Sequence, residues 1–66
     1  MSKLTLSANI PGADDFYAEL IGAHEGLTKT QSDALNARLV LTLANHIGDR
    51  EVLTEAIGAS KAAGSR

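Results

Sequence analysis

Between Lys29 and Ile47 the chain carries neither proline nor glycine, and its apolar positions recur at spacings of three and four. That period belongs to an α-helix. It predicts one long helix over 29–47, about 30 Å from end to end at 1.5 Å per residue. At 100° per residue, Leu35, Leu39, Leu43 and Ile47, with Val40 beside them, share one face and suit packing against a first helix through Phe16, Leu20 and Ile21. A second, heptad-like seam of Ala34, Ala37, Leu41, Ala44 and Gly48 runs along the back, built mostly of small residues that let another backbone approach closely. Only Gln31, Arg38, Thr42 and Asn45 form a polar stripe. A helix apolar on both flanks is normally enclosed between two neighbours.

The flanks supply the remaining elements. Residues 1–12 alternate Leu4, Leu6, Ala8 and Ile10 with Lys3, Thr5, Ser7 and Asn9, the period-two pattern of an extended segment with one apolar face. A lone strand is not a sheet, so this arm either drapes over the helices or pairs with a strand of another chain. Pro11 and Gly12 break it, and Asp14 and Asp15 bring negative charge to the positive end of a first helix, expected from Ala13 to His24 or Glu25. Gly26 stands where a left-handed C-cap residue belongs, with Leu27 as its hydrophobic contact. Thr28 and Gln31 have the spacing of a capping box, so the second helix starts with almost no loop and a tight helical hairpin results. Gly48 ends that helix and Asp49 caps a third over 50–62, with residues 63–66 expected to be a disordered tail. The expected fold is all-α: a single domain over 1–66, a three-helix bundle with a long central helix and an extended N-terminal arm over 1–12.

Length sharpens the question of what encloses the central helix. A chain of 66 residues buries only about 60% of the surface its unfolded form exposes. Helix three folding back through Val52, Leu53, Ala56 and Ile57 is one cover for the Ala34/Ala37/Leu41/Ala44 seam. A helix from another chain is the other, and the two are compatible. With no cysteine in the sequence, neither a disulfide nor a thiolate metal site is available to support so small a fold. Association with another chain, or a metal held by the two histidines, is the remaining support.

Charge narrows the partners. The net charge is −2 and the six lysines and arginines are scattered, so no basic stripe forms for a phosphate backbone. A helix-turn-helix made from the second and third helices would carry Asp49, Glu51 and Glu55 on its recognition helix, which repels DNA. Phe16 and Tyr17 are the only aromatic residues, too few for base stacking. The N-terminal residues lack the apolar run of a signal peptide or a membrane span. A cytoplasmic protein that binds neither membrane nor nucleic acid is expected.

Candidate chemistry is sparse. His24, Glu25, His46 and Asp49 are the residue types that ligate zinc or iron, but the hairpin sets the two histidines roughly 20 Å or more apart, and no HExxH or ExxH pair supplies ligands from one helix. Tyr17, Asn45, His46 and Asp49 are expected at one end of the hairpin, where they suit either a small polar ligand or a network that satisfies two helix ends. Asn36 is a poor interior helix residue. It falls beside Leu39 and Leu43, where it is expected to hydrogen-bond a neighbouring backbone and fix register. No nucleophile–base arrangement, phosphate loop or carboxylate pair is present. The residues therefore point to a protein that is not an enzyme and needs neither cofactor nor metal. Its partner, either a second copy of itself or a larger protein, would be bound through Ala34, Ala37, Leu41 and Ala44, with Arg38 beside them. The rival expectation is ligand or metal binding at Tyr17, Asn45, His46 and Asp49.

The strings DDFYAELIGAHEGLT at 14–28 and LNARLVLTLANHIGD at 35–49 resemble a family of short bacterial proteins of unknown function, and the likeness extends from Ile10 to Ile57. Matching positions include Phe16, Tyr17, His24, Gly26, Asn36, Arg38, Asn45, His46 and Gly48, none with a role to carry over. The resemblance implies a setting beside flavin-dependent hydroxylases of aromatic degradation, and hence a small accessory subunit whose partner is a larger enzyme subunit.

Overall fold

The computed structural model describes residues 3–64, and among these it contains three helices and no strand. The fold is all-α. Helix α1 spans Ala13–Ala23, α2 spans Lys29–Ile47 and α3 spans Arg50–Gly64.

The helix ends follow from local chemistry. Helix α1 starts at Gly12, whose φ of +66° is left-handed, and its backbone closes with the Phe16 N–H donating to the Gly12 carbonyl at 3.0 Å. At its far end the helix tightens: the His24 and Glu25 N–H groups donate to the carbonyls of Ile21 and Gly22 rather than one residue further back. Gly26 then turns the chain at φ +77°, a conformation that costs most other residues a clash at Cβ. The capping box of α2 is complete: Thr28 Oγ1 accepts from the Gln31 N–H at 3.2 Å, and Gln31 Oε1 accepts from the Thr28 N–H at 3.0 Å. Gly48, left-handed at φ +69°, ends α2 with its N–H bonded to the Ala44 carbonyl at 2.9 Å. Asp49 Oδ1 accepts from Glu51 and Val52 N–H at 3.0 and 3.3 Å, which caps α3.

Two local expectations change. Helix α3 runs through Ala63 and Gly64 instead of stopping at Ala62, since Ala-rich sequence needs no cap to continue; residues 65 and 66 lie outside the described residues. The arm forms neither helix nor strand among the described residues, bends at Ser7, and is tied to α3. Its Lys3 N–H donates to Glu55 Oε1 at 2.9 Å, and Lys3 Nζ reaches Glu51 Oε1 at 3.1 Å and Asp49 Oδ2 at 3.8 Å.

The bundle is open. No side chain among the described residues is buried; Leu4, Leu20, Leu35, Leu39, Val52 and Leu53 are the large apolar residues that reach partial shielding. The Cα radius of gyration is 13.6 Å, against about 11 Å for a compact chain of this length. The accessible surface of 5796 Å² likewise exceeds the about 4,000 Å² expected of a compact monomer of this mass. Among the described residues no helix is long and apolar enough to cross a membrane.

Candidate interaction surface

The second half of α2 and the length of α3 flank an open groove of about 660 Å³. Each helix lines it with the same register. From α2 come Val40, Leu43, Ala44 and Ile47, and from α3 come Leu53, Ala56, Ile57 and Ser60, both at the i, i+3, i+4, i+7 positions of one helical face. Leu41 and Thr54 widen it, and Arg50 and Lys61 stand at its two ends along α3. No acidic residue lines the groove. Its walls are largely uncovered, with Leu41 71%, Val40 64% and Ile57 63% exposed.

Gly48 and Asp49 produce this geometry. A left-handed glycine followed at once by a capped helix swings α3 away from the axis of α2 with no loop between them. Helix α3 thus shares a groove with α2 without filling it.

Of the residues expected to bind a partner, Leu41 and Ala44 line the groove, whereas Ala34, Ala37 and Arg38 do not. Ala34 is half-shielded nearer the start of α2, Ala37 and Arg38 are exposed, and the Arg38 carbonyl accepts from Thr42 Oγ1 at 2.8 Å. The Leu35/Leu39/Leu43/Ile47 face is not one continuous packing surface: Leu35 and Leu39 are half-buried, while Leu43 and Ile47 open into the groove. Asn36 is exposed and carries none of the register-fixing contact expected of it. It lies on the same side of α2 as Leu43 but two turns earlier, before the stretch from Val40 to Ile47 that α3 flanks, so no neighbouring helix covers it.

At the other candidate site, Tyr17, Asn45 and His46 are all exposed, His46 in the last turn of α2. Asp49 is half-buried, and its carboxylate is already occupied, one oxygen by the α3 cap and the other facing Lys3 Nζ. His24, at the C-cap of α1, is half-shielded. Among the described residues no three of His, Cys, Asp and Glu gather in a group that suits a metal ion.

A family model spans residues 4–62, which takes in every groove-lining residue, all of α1 and α2, and the arm from Leu4 onward. The chain belongs to DUF2783, a family of proteins of unknown function. That match is wider at both ends than the Ile10 to Ile57 likeness, so the arm from Leu4 onward and α3 as far as Ala62 fall within the family's sequence pattern. No curated protein and no solved structure matches the chain.

Proposed function

We propose that this chain is a helical protein-interaction module, a cytoplasmic accessory protein without catalytic activity of its own. The α2/α3 groove is where it is covered by another polypeptide. One observation carries the reading: the groove is apolar on both walls and open, in a chain none of whose described side chains is buried. Large apolar side chains left exposed side by side on two facing helices, with polar residues at the ends, are the kind of surface that serves as an interaction site. The family resemblance adds a setting for the partnership, an enzyme system of aromatic degradation, in which the module would accompany a larger subunit. The end of α2 at His46 gives a small ligand less to hold on to, since the Asp49 carboxylate caps α3 and faces Lys3.

The test is photo-crosslinking in the cell of origin from a probe replacing Leu41, with Asp33 on the charged start of α2 as control. A crosslinked polypeptide from position 41 and none from position 33 is expected. Loss of any position-specific product overturns the reading.

A further inference from the structure

We propose that the α2/α3 groove is the seat of a second copy of this chain, and that each copy lays its α1 into the groove of the other. The proposal rests on the interaction-module reading above and names its partner.

Area comes first. The chain exposes about 1,800 Å² more surface than a compact monomer of its mass. A standard interface covers about 800 Å² on each partner, and obligate homodimers bury about 2,000–5,000 Å² in total. The surplus is spread over the whole open chain, so a second copy that engages α1, α2 and α3 at once has more of it to cover than a small contact with the rim of some other protein.

Shape and charge then point to α1 as the element that enters. The groove runs beside α3 from Arg50 to Lys61, about 16 Å at the helical rise, and the 11 residues of α1 span about the same length. Helix α1 leaves Phe16, Tyr17 and Ile21 exposed on an otherwise acidic helix that bears Asp14, Asp15 and Glu19 and no basic residue. The groove is the converse: apolar walls, Arg50 and Lys61 at its ends, and no acid in its lining. Because every copy carries both the acidic helix and the basic-ended groove, a two-fold exchange fills both grooves at once and closes the assembly as a dimer.

Sedimentation equilibrium on the full chain tests this, with two charge-reversed variants. One carries Arg50→Glu and Lys61→Glu in the groove; the other carries Asp15→Lys and Glu19→Lys on α1. Wild type is expected at twice the 6.9 kDa chain mass at micromolar concentration. Each variant alone sets like charges against each other and is expected to associate about tenfold more weakly or worse. Their equimolar mixture pairs an acidic groove with a basic α1 and a basic groove with an acidic α1, so it is expected to regain the dimer with one copy of each. A wild-type chain that stays monomeric overturns the second-copy proposal, and so does a wild-type dimer whose two variants fail to pair. The module reading fails separately: a monomer that still crosslinks from position 41 to another polypeptide keeps that reading and ends only this proposal, whereas a monomer with no crosslink ends both.

Discussion

The backbone N–H of Lys3 donates to Glu55 Oε1 at 2.9 Å, joining residues 52 apart in sequence. With Lys3 Nζ also at Glu51 and near Asp49, one residue fastens the N-terminal arm along the first turns of α3. The groups are all partly solvated, and exposed ion pairs of this kind contribute about 0–1 kcal/mol. Their role is positional. The arm holds Leu4 half-shielded while Leu6 remains exposed.

Replacing both partners, Lys3→Ala with Glu55→Ala, is therefore expected to free the arm and spare the helices. Backbone amide order parameters should fall over residues 4–10, while the urea midpoint moves by less than about 1 kcal/mol equivalent. An equal fall across α2 would show instead that the arm supports the whole fold.

The hinge between α1 and α2 depends on two reciprocal hydrogen bonds. Thr28→Ala removes an N-cap acceptor and is expected to cost about 1 kcal/mol in urea unfolding. Gln31→Ala loses the return bond to the Thr28 N–H. The double variant should cost less than the sum of the two, because both bonds belong to one box. By contrast, the Lys29–Asp33 pair at 2.9 Å is exposed on both sides, and Asp33→Ala is expected to move stability by no more than about 0.5 kcal/mol.

Two glycines should respond to alanine with opposite signs. Gly48 sits at φ +69°, where a Cβ costs about 1–2 kcal/mol. Gly58 lies inside α3 with helical φ and open space where its Cβ would go, so Gly58→Ala is expected to stabilise by about 0.5–1 kcal/mol. Thermal melts of the two variants beside wild type check the pair. The Gly48 substitution carries a second consequence, since bending that junction changes the angle at which α3 leaves α2 and hence the width of the groove.

Legibility in the sequence divides along the same line between local and tertiary causes. The start of α1, both ends of α2 and the start of α3 were readable because Gly12, Thr28 with Gln31, Gly48 and Asp49 act on backbone groups within four residues of themselves. The face of α2 that opens into the groove is not. On a helical wheel Leu43 and Ile47 align with Leu35 and Leu39, and only the direction in which α3 departs from Gly48 separates the pairs, placing two in the groove and leaving two half-shielded. A signal was nevertheless present: Val40, Leu43, Ala44 and Ile47 repeat at i, i+3, i+4, i+7, and Leu53, Ala56, Ile57 and Ser60 repeat it on α3. The matching registers identify the two walls of one groove. Asn36 follows for a related reason, because its angular position beside Leu39 indicates burial only if that whole face packs.

Association should also control how much helix forms. Helix α1 has 11 residues, below the about 12–15 at which an isolated helix becomes even marginal in water, and no described side chain is buried to hold it. If its apolar residues are covered only by a second copy, its helicity is a property of the dimer. Dilution from high to low micromolar concentration is then expected to lower the helical circular dichroism and the thermal midpoint together, as mass action requires. Amide exchange should locate the loss in α1 before α2. Two leucine variants separate this from ordinary instability. Leu39 is half-buried within the chain, so Leu39→Ala should lower the midpoint at every concentration. Leu41, 71% exposed, contributes little to the monomer, and Leu41→Ala should change the dilute-protein midpoint by less than about 0.5 kcal/mol equivalent. Its cost should appear only as concentration rises and the wild type gains stability that the variant does not. A midpoint independent of concentration in the wild type would place the stabilising contacts inside the single chain.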